Sequence, residues 1–213
     1  VKNDFQNYII NEYPMSDLAL VPMATAKIKA INGTDPLSYI NKRNPSYWVI
    51  SSERRITWLE QPANNNPINE GEWWSDNPSD KMYISFDHDA AKDLGIQIND
   101  NITMNIYGRD IIGIVKNFRN VDYADFTINF VMVLNTNYAQ SIPHEYIGTV
   151  KLSNQHNFQE YVLLQQFPNI SSIKISNYAE KINQLLNQVN IAVIALAVII
   201  IFIGLLVISS AIL

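Results

Sequence analysis

The chain contains no cysteine. Disulfides, thiol catalysis and cysteine-based zinc sites are thereby excluded, and the redox compartment is left open. Its seven glycines stand at 33, 71, 95, 108, 113, 148 and 204. None belongs to a G-x-x-x-x-G-K-[ST] loop, so ATP is not bound by that route. No G-x-S-x-G elbow is present to carry a nucleophilic serine. Basic residues are too few for nucleic acid: 15 Lys and Arg face 20 Asp and Glu, a net charge of −5, with no basic stripe. There is no internal repeat of 20–50 residues and no long low-complexity tract.

The most informative absence is of charge. Lys181 is the last charged residue, and 32 residues follow it without Asp, Glu, Lys or Arg. From 191 to 213 the run IAVIALAVIIIFIGLLVISSAIL is broken only by Gly204, Ser209 and Ser210. A hydrocarbon core of about 30 Å takes about 20 apolar residues as helix, so 191–213 is expected to be a transmembrane helix. A buried core helix is the plainer reading, but such helices seldom run so long without a charge. A signal peptide would sit at the N-terminus. The chain starts at Val1 and stops inside the apolar run, which leads us to expect a fragment of a longer protein. Near the span lie only Lys174 and Lys181, offset by Glu180. So little positive charge favours placing residues 1–175 outside the cytoplasm.

Those 175 residues read as an α+β body. Residues 5–13 have helical spacing, and 23–31 alternate as a strand that ends in an Asn32-Gly33 turn. Residues 47–51 are a strand candidate, and 61–78 are loop-like. Residues 82–86 form a strand, after which Asp87 caps a short helix that ends at Gly95. The clearest hairpin joins 102–107 to 111–118 through Gly108, and 129–134 is a further strand. Strand 147–152, helix 158–166 and strand 170–175 would make a βαβ unit.

A stalk is expected at 176–190. Asn177 and Glu180 have capping-box spacing, with Asn177 capping a backbone N–H and Glu180 reaching back. Ile182, Leu185, Leu186 and Val189 then recur on one face among Asn and Gln residues. No Pro or Gly separates this helix from the apolar run. Stalk and span should therefore be one rod of roughly 55 Å. The apolar stripe either packs on its own domain or forms a seam that carries motion.

Catalytic candidates are weak. His88 lies between Asp87 and Asp89, but adjacent residues at a helix start point apart, and capping is their expected role. His144 and His156 are isolated. Three sequons begin at Asn32, Asn101 and Asn169, as expected in so Asn-rich a chain. Trp73-Trp74 are either a contact patch or packing beneath the long loop. No metal, cofactor or catalytic residue is assigned.

Taken in order, Gly71-Glu72-Trp73-Trp74, the A-x-x-L-G-[IL]-x-x-x-D run from Ala91 to Asp100, the R-x-V-D-[WY] run Arg119–Tyr123, and Phe167-Pro168-Asn169 before the stalk resemble the FtsX-like permeases of MacB-type ABC transporters. Among these, the large predicted permeases of the YbbP type are most similar. Tyr123 stands where that family has Trp. The resemblance implies a MacB-like extracytoplasmic domain, with one half built on the βαβ segment and a mostly β insert at 82–134, followed by the stalk and one transmembrane helix. It implies a bacterial inner membrane, with the domain on the periplasmic side. It implies an ABC ATPase subunit that binds cytoplasmic segments outside this sequence and hydrolyses the ATP, and contact with membrane lipid; it leaves a permease dimer open. The function implied is mechanotransmission: transport or extraction of a hydrophobic or lipid-like substrate, with no enzymatic activity in this chain.

Two rivals come from other classes. One is a membrane-anchored extracytoplasmic binding module with Trp73 and Trp74 as its patch. The other is a tethered hydrolase, which needs a carboxylate pair in a cleft that includes Asp87 or Asp89.

Overall fold

The computed structural model describes residues 2–75, 78, 80–123, 127–152 and 158–212; within its last helix, side chains are described for 185–201, 203 and 204. The elements in order are α1 (Lys2–Glu12), β1 (Asp17–Ile31), a 3-10 turn (Pro36–Ser38), α2 (Tyr47–Ser51), β2 (Arg54–Leu59), β3 (Ile68–Gly71), β4 (Met82–Asp87), α3 (His88–Leu94), β5 (Asn101–Ile106), β6 (Arg109–Arg119), β7 (Met132–Asn135), α4 (Thr136–Ala139), β8 (Glu145–Lys151), α5 (Glu160–Gln166) and α6 (Ser176–Ile212). Residues 1–158 and 159–213 form two compact units.

In the first unit six strands close on themselves in the order β1-β2-β7-β4-β6-β5, because β1 pairs with both β2 and β5. The result is a mixed α+β unit with a β barrel. Alternation explains how the sequence fills it: side chains two residues apart share a face. Ala24, Ala26 and Ile28 of β1, Ile84 and Phe86 of β4 and Met104 of β5 are all nearly inaccessible and belong to one core. The intervening positions face the other way. Val21, Met23, Tyr83, Ile114, Val133 and Ile147 gather in a second cluster around Trp74 and Phe130.

The 15 residues of β1 serve three neighbours. Residues 17–23 pair with β8, 24–26 with β2 and 26–31 with β5. Pro22 falls next to the point of exchange. It has no N–H to donate, but its carbonyl accepts from the Thr57 hydroxyl at 2.6 Å.

Several expected elements are found. The β5–β6 hairpin turns at Tyr107 and Gly108, with φ 48° and 86°, the positive pair a type I′ turn requires. The Asp87 carboxylate accepts from the Ala90 N–H at 2.9 Å, and Gly95 ends α3 in the left-handed region. Replacing Asp87 with Ala is expected to cost about 1–2 kcal/mol, measured as a lowered urea midpoint. An unchanged midpoint would mean that packing of Ala91 and Leu94 holds the helix without its cap.

Three expectations are corrected. Residues 47–51 form a helical turn, not a strand, with Val49 and Ile50 fully buried against the barrel core. Residues 170–175 form no strand, so β8 and α5 do not complete a βαβ unit. The strands of 82–134 are not a separate insert in the hydrogen-bonding pattern, because β4, β5, β6 and β7 share one sheet with β1 and β2. The physical reason is common to the last two: alternation marks a strand's faces but not its partner.

Candidate functional site

The densest polar construction lies on the outward face of β4 and β6. A bulge between Ile84 and Ser85 in that parallel pair sets Ser85 opposite Asn117 and Asp87 opposite Arg119. Arg119 is 2% exposed. Its Nε donates to the Ser85 hydroxyl at 2.7 Å, and one Nη donates to the Phe130 carbonyl at 3.0 Å. The Ser85 hydroxyl donates to the Asn117 side-chain oxygen, and the Asn117 amide donates to the Glu72 carbonyl at 3.1 Å. One buried guanidinium thus pins the β6–β7 connection onto β4. Asn117 ties the Trp73-Trp74 loop to the same place.

Burial pulls the Arg119 guanidinium down to about 10, opposed by Tyr123 and Asp87, so it remains charged at neutral pH. Tyr123 is hydrogen-bonded to Asp87. Half of the residue is exposed, but its hydroxyl end is desolvated and beside that carboxylate, and both push the phenol well above the ordinary range, with Arg119 pulling the other way. The sequence points to Arg119 only as the first residue of Arg119–Tyr123. Its burial has no local signal, because alternation turns Arg119 away from the face that Phe118 buries.

The structure places the other candidates as follows. Trp74 is 7% exposed inside the second cluster, with its ring 4.0 Å from that of Trp73. The Trp73 indole N–H donates to the Glu60 carbonyl at 3.0 Å. Trp74 is thus buried and Trp73 half-buried against the second cluster. One aromatic pair that reaches solvent is Trp48 and Tyr123, edge to face at 6.0 Å, with Arg54 stacked on Trp48 at 5.0 Å.

His88 lies 3.4 Å from Glu70 and 3.2 Å from Asp89, at the edge of a groove of about 420 Å³ lined by Lys92, Ile96, Ile98 and Phe118. Asp89 is 92% exposed at its side chain, whereas Asp87 is buried and engaged as a cap. The two carboxylates do not converge as a hydrolytic pair. His144 packs edge to face on Trp58 at 5.0 Å, and His156 lies outside the described residues. Among the described residues no cluster of His, Asp and Glu could hold a metal ion.

The residues expected to form a stalk and span fall in α6, a helix of 37 residues. The side chains of Asn177, Glu180 and Ile182 lie outside the described residues, so the expected cap and the start of the seam do too. Leu185, Leu186 and Val189 are described and are 60–61% exposed. Among the described residues no helix is long and apolar enough to cross a membrane. The unbroken described stretch of side chains, 185–201, would rise about 25 Å as helix, less than a hydrocarbon core of about 30 Å.

One curated relative carries this geometry further. The chain is similar to an ABC transporter permease. That relative, the uncharacterized ABC transporter permease YbbP of Escherichia coli strain K12, is 23% identical over 164 residues, which make up 77% of this chain. The chain spans about a fifth of that relative, 19% of its length. No family model matches the chain. No solved structure matches it either. The similarity supports the ABC permease family and does not single out an FtsX-like or MacB-type branch.

Proposed function

We propose that this chain is the extracytoplasmic domain, stalk and following membrane span of an ABC transporter permease. The observation that carries the proposal is the apolar, unshielded circumference of α6. Val198, Ile199, Ile200 and Ile201 make one full turn, and all four are more than half exposed. A helix that is apolar all round is stable only when buried in protein or lipid. Burying one such side chain is worth about 1.5–3 kcal/mol, so leaving a run of them in water would oppose folding strongly. Lipid around 191–213 removes that cost, and the similarity to a permease supports the same environment.

The finer reading is mechanical. α6 continues without a break from 176 to 212, so a tilt at its membrane end would be transmitted along roughly 55 Å of helix. Asn177 and Glu180 would start the rod, and Ile182, Leu185, Leu186 and Val189 would form the seam through which it engages a neighbour. In this reading the FtsX-like and MacB-type resemblance supplies the mechanism. A separate ATPase subunit hydrolyses ATP, the membrane helices close, and the periplasmic domain moves a hydrophobic or lipid-like substrate. This chain has no catalytic role in that cycle, and the bacterial inner membrane is its setting.

The test is Leu185→Asp in the full-length permease, reconstituted in vesicles with its ATPase. We expect ATP-dependent substrate movement to fall at least tenfold while expression and ATPase binding persist. Wild-type coupling in that variant would refute the seam and favour a membrane-anchored binding module. Release of the full-length chain from membranes by alkaline carbonate would refute the span itself.

A further inference from the structure

The edges of the β sheet are defended unequally. β3 offers four residues, with a register shift at its pairing with β6. The portion of β1 that pairs with β8 carries Pro22 and begins at Asp17. Both are devices that discourage another strand from adding on. β8 has neither. Its seven residues, Glu145-Tyr146-Ile147-Gly148-Thr149-Val150-Lys151, pair with β1 in unbroken register, with no bulge and no proline. Among the described residues nothing pairs with its other edge. None of the seven is buried, and an edge strand presents a row of backbone N–H and C=O groups that another strand can pair with.

The charges on β8 stand only at its two ends and have opposite signs. If the strand meets its own copy antiparallel about Gly148, Glu145 of each copy lies opposite Lys151 of the other. Tyr146 then faces Val150 and Ile147 faces Thr149, so an aromatic pairs with a β-branched residue and two β-branched residues pair with each other. These are favoured cross-strand pairs, and the opposite charges add to them. At the axis the two glycines put no side chain in the way. We propose that β8 is a self-complementary docking edge, and that its occupant is β8 of a second copy of this chain, joined about a two-fold axis through Gly148 into one continuous sheet. A two-fold contact of this kind is closed and does not propagate into a fibre. The inference stands apart from the permease reading, since it would hold for this domain in any membrane or none.

The experiment uses the full chain in detergent or nanodiscs. Sedimentation is expected to show a dimer at tens of micromolar. Glu145→Lys alone and Lys151→Glu alone each set like charges opposite one another twice and should weaken the dimer at least tenfold. The double variant E145K/K151E restores opposite charges and should recover the wild-type constant. A merely structural role for either residue would not produce that rescue. Because the chain has no cysteine, register is read directly by mixing a Tyr146→Cys chain with a Val150→Cys chain. Oxidation should link residue 146 of one copy to residue 150 of the other. A monomer at these concentrations, a dimer indifferent to both single charge reversals, a double variant that fails to recover, or links joining identical positions would each overturn the assignment.

Discussion

Arg119→Ala is expected to destabilise the barrel by about 3–5 kcal/mol, the cost of removing one member of a buried, charged, hydrogen-bonded set. The guanidinium serves the Ser85 hydroxyl and the Phe130 carbonyl at good distances, with longer contacts to the carbonyls of Ser85 and Val131. Alanine would leave these oxygens in a pocket that water does not reach, and each buried polar group without a partner costs about 1–3 kcal/mol. Asp87 would also lose the cation that lies opposite it in the sheet register. Arg119→Met separates the causes, because it fills the volume of the stem but supplies no donor. We expect it to lose nearly as much as alanine. Urea denaturation of the chain in detergent, followed by far-ultraviolet dichroism, measures both variants. A loss below about 1 kcal/mol for either would show that the loop is held by Phe130 and its neighbours rather than by the charge.

Gly71→Ala is expected to cost about 3 kcal/mol, the sum of a conformational and a steric term. Gly71 has φ 74°, and a Cβ there would stand 2.3 Å from the Lys116 carbonyl oxygen and 3.0 Å from the Asn117 Cα. Both are backbone atoms of β6 and cannot swing aside, so β3 would have to lift from its pairing. The Glu72 carbonyl would then leave the Asn117 amide, and the tryptophan loop would lose its tie to the Arg119 set. Gly33→Ala is the control: φ is 81°, yet nothing lies within 4 Å of a Cβ there. It carries the conformational term alone, about 1–2 kcal/mol. Thermal unfolding gives the two losses, and tryptophan near-ultraviolet dichroism should weaken for the first variant alone. Equal losses at the two positions would contradict the close approach.

Local chemistry was the most legible part of the fold. Asp87 and Gly95 bracket α3 because capping and helix termination depend on a few adjacent atoms, and the β5–β6 hairpin follows from alternation on either side of a tight turn. Partnership between distant strands was not legible. The alternation of 170–175 resembles that of 23–31, but only the latter found neighbours in the barrel. The run at 47–51 has strand-forming residues, yet burial of Val49 and Ile50 on one side of a single turn outweighs their propensity. Pro22 hid residues 17–22 of β1. At the candidate site, the Arg119–Tyr123 motif was visible. The bulge that turns Arg119 toward Ser85 was not, because bulges depend on two strands in register. The length and apolarity of α6 were plain from the sequence, since a helix needs no partner for its backbone.

A consequence of β1's three pairings concerns the order of assembly. Its first residue is hydrogen-bonded to a strand that ends at Lys151, so the earliest strand to be synthesised waits for one of the last. Contacts so far apart in the chain close slowly, because a long loop must be ordered before it is rewarded. During synthesis residues 17–23 of β1 are therefore an unsatisfied template for most of the domain's length. The strand that relieves it, β8, is made shortly before α6 emerges, so completion of this sheet edge and, in the proposed reading, delivery of α6 to lipid fall in the same short interval.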